Sequence, residues 1–260
     1  MSTSASSLSL QRGRCHGVRQ ILRFNWHFYA AGTAACIIGA VLLQLVRLPN
    51  WLLLLGWLGI AIGVWWLLAS LAVSYFVYDL SPLYRWDWLR SLLPSAPPTW
   101  ANVHAGLDES SPALRAMFGG DAITVDIYDA AEMTEPSIAR ARRLTSPPVP
   151  AVSADYRSLP FADGELDAVF LIFAAHEIRS AESRQLFWNE LHRVLRAGGV
   201  LVLVEHLRDF PNFIAFGPGC WHFLPRREWL RLFAASGFEI EREFGMTPFV
   251  RVCLLSRSTP

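Results

Sequence analysis

The amino-acid sequence predicts two long apolar helices followed by an α/β domain with a doubly wound, mostly parallel sheet. Three observations lead to this prediction: most of residues 28–78 is apolar and uncharged, the pattern changes at about Pro94, and short apolar runs then alternate with helical segments. Such alternation is typical of parallel sheets covered by helices on both faces. Only 17% of the residues are charged, against about a quarter in an ordinary soluble domain.

The first two elements are apolar runs at residues 28–46 and 51–78. As helices, both runs are long enough to cross a hydrocarbon core of about 30 Å. A turn containing Arg47 and Pro49 separates them, and aromatic residues lie near their ends, where amphipathic rings prefer the headgroup level. We therefore expect a transmembrane hairpin over residues 26–78 and not a pair of helices buried in a soluble core.

Arginine placement predicts the orientation of this hairpin. The arginines that precede the first run are Arg12, Arg14, Arg19 and Arg23. Because Arg47 alone lies in the turn, the positive-inside rule places the N-terminus in the cytoplasm, and two spans return the chain to that side. We expect a multi-pass protein of the inner (cytoplasmic) membrane, with a disordered basic N-terminus at residues 1–25 and the C-terminal domain in the cytoplasm.

Residues 79–98 join the hairpin to the α/β domain. Leu83, Trp86 and Leu89 recur at helical spacing between charged positions. Such a segment can lie in the membrane interface or pack as a short helix on the following domain, and the sequence leaves both open. The proline-rich stretch 94–98 is expected to act as a semi-rigid linker.

The domain over residues 99–260 follows the linker. Apolar runs and turn signals predict seven strands, at residues 99–106, 122–125, 149–152, 168–173, 200–204, 238–244 and 249–255. Helices are predicted at residues 111–118, 133–143, 181–195 and 226–236. The unbroken apolar run at residues 168–173 is typical of a strand that is covered on both faces.

Polar side chains follow several of these strands, at the point where each strand ends. They are His104, Asp126, Asp155, the stretch 173–177, Glu205 and His206. Ligands of doubly wound sheets bind outside the carboxyl ends of the strands. The sequence therefore predicts the functional site at this edge.

Four stretches resemble class I S-adenosylmethionine-dependent methyltransferases. They read ITVDIYDAAEMTEPSIARAR, SADYRSLPFADGELDAVFLIFAAHEI, LFWNELHRVLRAGGVLVLVEH and GFEIEREFGMTPFVRVCLLSR. The similarity covers about residues 99–257 and is closest to the broad group that methylates small molecules, including quinones and lipids. It implies a Rossmann-like sheet of seven strands and S-adenosylmethionine as the cofactor.

The resemblance also assigns residues to the cofactor. It implies that Asp126 grips the ribose hydroxyls, and a carboxylate suits a vicinal diol because it accepts two hydrogen bonds. It implies that Asp155, with Tyr156 beside it, contacts the adenine amino group. Ile127 is expected to pack on the adenine face or in the ordinary core, and Phe173 completes the set. Without the resemblance, either aspartate can equally form a turn or a cap.

The loop after the first strand departs from the family's E/D-x-G-x-G-x-G turn. His104 replaces the leading acid, Gly106 is retained, and Asp108 replaces the middle glycine. Because aspartate adopts unusual φ values more readily than most residues, we expect the turn to persist. We therefore expect all three residues to bind the cofactor, with the Asp108 carboxylate near its positively charged methionine part.

Methyl transfer requires a nucleophile aligned with the methyl carbon, and some nucleophiles must also lose a proton. His176 is the predicted base and Glu177 its orienting partner, with His206 and His222 as further candidates. The alternative is that His176 caps a loop or packs on the cofactor. Three histidines and two glutamates at one edge permit a metal site, but no HxxxH-type spacing supports one, so no metal is predicted.

Residues 208–225, which we name the aromatic segment, are rich in aromatic residues, glycine and proline. Because charges are scarce there, we expect a lid over the substrate or a loop that dips into the bilayer. The alternative is a loop folded on the core beneath it.

These observations together predict a membrane-anchored methyltransferase that acts on a lipophilic small molecule or a lipid. The net charge of +1 gives no field that would favour nucleic acid. The expected partners are the bilayer and the substrate, and glycines in the hairpin permit packing against a second copy or a partner enzyme. The altered glycine loop leaves open a non-catalytic methyltransferase-like scaffold, or an enzyme of the same fold with another ligand.

Overall fold

A computed structural model describes residues 13–258 of the protein. Its helices are α1 (His16–Leu45), α2 (Asn50–Tyr75), α3 (Asp87–Leu92), α4 (Ser111–Phe118), α5 (Pro136–Leu144), α6 (Ala181–Val194), α7 (Phe210–Phe216) and α8 (Arg226–Ala235). Its strands are β1 (Thr99–His104), β2 (Asp121–Asp126), β3 (Val152–Ser153), β4 (Leu166–Ile172), β5 (Leu195–His206), β6 (Phe238–Thr247) and β7 (Val250–Arg257). Short 3₁₀ or π turns lie at Phe76–Leu80, Leu83–Arg85, Ala175–Glu177 and Gly217–His222.

The sheet has seven strands in the order β3-β2-β1-β4-β5-β7-β6. The strands from β1 to β5 pair in parallel, whereas β7 is antiparallel to both β5 and β6. Phe170 and Leu171, which are successive residues of β4, belong to buried clusters on opposite faces of the sheet. The predicted seven-stranded, mostly parallel, doubly wound sheet is therefore confirmed.

Helices α1 and α2 pack against each other as a hairpin, with Pro49 immediately before α2. Residues 1–12 lie outside the described part of the chain. From His16 onward, however, the segment that was expected to be disordered is helical. The physical reason is a cap from a distant residue: the Asp79 carboxylate accepts hydrogen bonds from the backbone amides of Gly17, at 2.7 Å, and Val18, at 2.9 Å.

The segment between the hairpin and the sheet packs on the α/β domain. Leu83 and Leu89 are fully buried, and Trp86 is 3% exposed. They share a buried cluster with Trp100 of β1 and Phe170 of β4. Of the two structures that the sequence left open for this segment, the structure contains the helix packed on the domain.

Other differences from the sequence prediction are local. Strand β3 covers Val152–Ser153 and not residues 149–152. Strand β5 begins at Leu195 and not at residue 200, because Leu195 pairs with Leu166 before the register shifts. The aromatic segment contains α7, which was not predicted. The Asp209 carboxylate caps this helix by accepting a hydrogen bond from the backbone amide of Asn212 at 3.0 Å.

The hairpin lies over the edge where the parallel strands end. Helix α1 contacts α5, and α2 contacts α7. A guanidinium N–H of Arg140 in α5 donates to the Phe24 carbonyl over 2.6 Å, and the Trp65 indole N–H donates to the Ile214 carbonyl over 3.0 Å. The hairpin and the sheet edge therefore form the two sides of one space.

Candidate functional site

A cavity of about 890 Å³ lies between the hairpin and the carboxyl edge of the sheet. We name it the chamber. The hairpin contributes Phe24, Tyr29 and Ser70 among others to its wall, and the sheet side contributes Ala105, Phe173 and His176. The aromatic segment covers it with Phe216, Trp221 and Phe223. The chamber thus joins the predicted polar edge to a largely apolar space.

His176 is held at the polar end of the chamber by Glu205, the residue before the end of β5. Its Nδ1 donates to Glu205 Oε2 over 2.6 Å, while Glu205 Oε1 accepts from the backbone amides of Ala175 and His176 at 3.0 and 3.3 Å. Burial alone would lower the pKa of His176, but the charge and hydrogen bonds of Glu205 and Glu177 outweigh it and raise that pKa to about 10. These contacts hold His176 at the polar end of the chamber, and its role as a base stays a prediction.

Glu177 and His222 lie beside His176. Oε1 of Glu177 is 3.4 Å from Nε2 of His176 and 3.8 Å from Nε2 of His222. Burial would raise the pKa of Glu177, but hydrogen bonds to the two imidazoles hold it far below its usual range. On its other side, His222 Nδ1 lies 3.0 Å from Glu135 Oε1 and 2.9 Å from Arg179 Nη1.

His206 also lines the chamber, but both of its ring nitrogens are engaged. Nδ1 donates to the Phe249 carbonyl over 2.8 Å, and Nε2 accepts from the Tyr78 hydroxyl over 2.7 Å. The ring is stacked between Phe173 and Phe223, with centroid distances of 5.0 and 4.9 Å. Burial lowers its pKa to about 4. His206 is therefore held in the wall of the chamber by both of its ring nitrogens, and its role as a further candidate base stays a prediction.

The predicted ribose site lies where β1 and β2 end side by side. Asp126 pairs in register with His104, and their side-chain atoms Oδ1 and Nδ1 are 3.7 Å apart. Asp126 Oδ1 accepts from the Tyr128 amide at 3.1 Å, and Oδ2 is paired with Arg142. Burial lowers the pKa of His104, whose Nδ1 accepts the amide hydrogen of Gly106 at 3.2 Å.

Gly106 has a φ of +95°, and a Cβ at this position would lie 2.8 Å from Cδ of Arg142. The Arg142 side chain thus covers both the retained glycine and the Asp126 carboxylate. It is 37% exposed and stacks on the Tyr128 ring at 4.5 Å. These residues fit a ribose once Arg142 turns outward, and Ala105 and Leu107 of the same loop reach the chamber.

Asp108 does not face the chamber. Its Oδ1 accepts hydrogen bonds from the backbone amides of Ser110 and Ser111, at 3.0 and 2.9 Å, and from the Asn102 amide at 3.1 Å. It therefore fixes the start of α4. The expected contact with the methionine part of the cofactor is not supported by this placement, because one carboxylate oxygen holds the helix and the residue is 7% exposed.

The predicted adenine residues are split between the core and the surface. Ile127 and Tyr156 are each 1% exposed, within the main hydrophobic cluster. The Tyr156 hydroxyl donates to Glu132 over 2.5 Å. The Asp155 side chain is 52% exposed, and it forms a local turn by accepting from the Arg157 amide at 2.8 Å. The structure does not bring these three residues into the chamber.

Sequence reasoning missed four residues of the site: Tyr78, Glu135, Arg142 and Arg179. Glu205 was noted as a strand-end acid but was not assigned a role. The position of Glu205 directly after an unbroken apolar strand was a usable signal, because that position lies at the ligand-binding edge. No local pattern indicates that Tyr78 meets His206 across 128 residues of chain.

Comparisons with known proteins agree with this geometry. A family profile described as "Methyltransferase domain" matches residues 105–203. A SAM-dependent methyltransferase from Aquifex aeolicus is 18% identical, with a TM-score of 0.51 over 66% of this chain and 88% of that chain. A geranyl diphosphate C-methyltransferase from Streptomyces coelicolor A3(2) is 15% identical, with a TM-score of 0.50 over 71% of this chain and 82% of that chain. A search of curated protein sequences gives no match.

The two solved structures establish the fold, and the profile match identifies the domain within it. The matched stretch begins in the loop after β1 and ends within β5. It therefore includes Asp126, His176 and the edge at which the chamber opens. Residues 105–203 therefore match a methyltransferase domain, and the sheet around them has the fold of S-adenosylmethionine-dependent methyltransferases.

Proposed function

We propose that the protein is anchored in a membrane by α1 and α2, and that it methylates a lipophilic molecule held in the chamber. One observation carries this proposal: the chamber of about 890 Å³ has the methyltransferase edge as one wall and the apolar hairpin as the other. Pockets of this size suit a small organic ligand. A polar end beside an apolar wall matches an acceptor with a polar head and an apolar body.

The exposure of the hairpin supports the membrane part of the proposal. Both helices pass the length and hydropathy test for a span, and none of the most apolar window of either is buried in the structure. Leu45, Leu54 and Leu68 are 75%, 70% and 63% exposed. Core helices of a soluble protein would bury such side chains, and contiguous apolar surface of this kind marks a membrane or protein contact.

The orientation in this proposal follows from charge. Arg14, Arg19 and Arg23 lie at the end of the hairpin that leads to the catalytic domain, whereas Arg47 is in the opposite turn. We assign the arginine-rich end and the domain to the cytoplasmic side of the inner membrane. We also propose that the glycines of the hairpin pack against a second copy of the chain or against a partner enzyme.

The chain's own residues have distinct parts in the proposed reaction. S-adenosylmethionine, when bound, supplies the activated methyl group. Asp126 would hold the ribose, and the loop at Ala105 and Gly106 would place the methionine end at the mouth of the chamber. The polar residues around His176 would orient the head of the acceptor. Orientation of this kind lowers the activation barrier by several kcal/mol.

The aromatic segment would exclude water during the reaction. It is attached to α2: the Trp66 and Phe213 rings contact edge to face at 5.6 Å, and a Cβ on Gly217 would lie 2.5 Å from the Trp66 ring. Trp221 is 60% exposed. An exposed amphipathic ring in a segment that is attached to a membrane helix suits the headgroup region. We propose that this segment is the lid through which the acceptor enters from the bilayer.

The test uses full-length protein in lipid nanodiscs with S-adenosylmethionine labelled in its methyl group. The proposal predicts label in the organic-soluble fraction when total membrane lipid from the source cells is supplied. Ser70→Phe fills the chamber and should reduce this labelling at least about tenfold, whereas Leu68→Phe, on the outer face of the same helix, should not. Label only in water-soluble products, or equal loss in both variants, would overturn the proposal.

A further inference from the structure

The three side chains at the polar end of the chamber converge on one point. They are His176, Glu177 and His222, which we name the His–Glu–His cluster. Their ligand-type atoms all lie within 4.8 Å of one another. His176 follows β4, and His222 ends the turn after α7, so two separate elements bring the imidazoles together.

The two distances that involve Glu177 are close to those between the ligands of a metal ion. Imidazole nitrogen and carboxylate oxygen bind Zn²⁺ at about 2.0–2.2 Å, so tetrahedral ligands are about 3.3–3.6 Å apart. The distances from Glu177 Oε1 are 3.4 Å to Nε2 of His176 and 3.8 Å to Nε2 of His222. The ligand atoms must move closer together when a metal binds, because they are spread over up to 4.8 Å.

The outer nitrogen of each imidazole already has a carboxylate. Nδ1 of His176 donates to Glu205 over 2.6 Å, and Nδ1 of His222 lies 3.0 Å from Glu135 Oε1. Histidines that bind metal through Nε2 characteristically direct Nδ1–H to a carboxylate, which fixes the tautomer and increases the basicity of the ligand. His176 has this arrangement, and His222 can adopt it once Arg179 Nη1, 2.9 Å from the same Nδ1, withdraws.

The second oxygen of the Glu177 carboxylate is also relevant to a metal site. Oε2 of Glu177 is buried and has no hydrogen-bond partner among residues 13–258, although the side chain is only 7% exposed. A buried carboxylate oxygen without a partner is costly. A cation bound between the imidazoles and Glu177 would satisfy it.

We propose that His176, Glu177 and His222 bind a divalent transition-metal ion, with Zn²⁺ the best match to two nitrogens and one oxygen. Three protein ligands leave one coordination position toward the chamber. Nη1 of Arg179 is 2.9 Å from His222 Nδ1. When the metal binds, Arg179 must move away so that His222 Nδ1 donates its proton to Glu135. If the proposed function holds, the open coordination position of the metal binds an oxygen of the acceptor. The metal then fixes the polar head of the acceptor beside the methyl donor.

Metal binding is measured directly on full-length protein in detergent, after chelator treatment and dialysis. Titration with Zn²⁺ in competition with a chromophoric chelator should give one ion per chain, and Co²⁺ in its place should give the intense visible absorption of a four- or five-coordinate site. Glu177→Gln and His222→Asn should each weaken binding at least about 100-fold, and Glu205→Gln about 10–100-fold. The matched controls Glu182→Gln and His192→Asn lie outside the cluster and should bind as the wild type does.

Thermal melting shows that each variant is folded, and S-adenosylmethionine affinity is measured in parallel. Loss of metal binding with normal cofactor affinity in the Glu177 and His222 variants supports the cluster as the site. Less than one ion bound at micromolar Zn²⁺, or equal affinity in those variants and their controls, would overturn it. Failure of lipid methylation with intact metal binding would instead count against the proposed function alone.

Discussion

The Tyr78 hydroxyl at the end of the hairpin donates a hydrogen bond over 2.7 Å to Nε2 of His206 at the end of β5. This bond joins the end of the hairpin to β5 of the sheet. The same imidazole is stacked between Phe173 and Phe223. The position of the hairpin and the wall of the chamber are therefore linked through one ring.

Replacing Tyr78 by Phe should lower the stability of the protein, because Nε2 of the buried His206 loses its donor. We expect a cost of about 1–3 kcal/mol, seen as a lower midpoint of thermal unfolding in detergent. Tyr75→Phe, at the exposed end of α2, is the matched control and should change the midpoint little. An equal effect of the two substitutions would contradict the link.

The buried state of His206 predicts a pH dependence of stability. In the unfolded chain this group binds a proton near pH 6.5, but burial lowers the native pKa to about 4. The stability that is present above pH 6.5 is therefore lost as the pH falls toward 4, by about 2 kcal/mol at pH 5. His206→Asn removes the titrating group, so the wild type should lose more stability than the variant between pH 7 and pH 5. A constant difference between them would show that His206 is not held neutral.

Asp126 and Arg142 should affect cofactor binding in opposite directions. Asp126→Ala removes the carboxylate proposed for the ribose and should weaken binding of S-adenosylmethionine about 10–100-fold. Arg142→Ala removes the cation that pairs with this carboxylate, and it should strengthen binding by up to about fivefold. Isothermal titration measures both. Weaker binding in the Arg142 variant would mean that this arginine contacts the cofactor instead of competing with it.

Gly217 should control the attachment of the aromatic segment to α2. It has a φ of +55°, and an added Cβ would lie 2.5 Å from the Trp66 ring, whereas a Cβ on Gly219 has 4.0 Å to its nearest neighbour. Gly217→Ala should therefore detach the segment, with faster hydrogen exchange in residues 210–222 and slower methylation. Gly219→Ala is the control and should leave both unchanged. Normal exchange in the Gly217 variant would exclude a lid at this position.

The sequence predicted those features that depend on strand periodicity and strand ends. Residues 168–173 and 200–204 were recognisable because a strand buried on both faces is uniformly apolar. The placement of Asp126 and His176 at the sheet edge was predictable because the carboxyl ends of parallel strands meet at one edge. The contact of Asp108 with the start of α4 was also predictable, because an aspartate just before a helix is an ordinary capping signal.

The remaining features depend on contacts between distant parts of the chain. His222 reaches Glu177 only because α7 and the turn Gly217–His222 fold back over the edge, so no HxxxH-type spacing can reveal the cluster. Arg142, in α5, pairs with Asp126 at the end of β2, although 16 residues separate them in the chain. The start of α1 depends on Asp79, which lies 62 residues beyond Gly17. Tertiary contacts of this kind have no local sequence pattern.

The most direct test of the account is a structure of the full-length protein in a lipid nanodisc with S-adenosylhomocysteine. The account predicts the nucleoside beside the Asp126 carboxylate with Arg142 turned outward, the thioether at the mouth of the chamber, and α1 and α2 within the lipid. A ligand bound elsewhere, an edge still closed by Arg142, or a hairpin that lies outside the disc would contradict it.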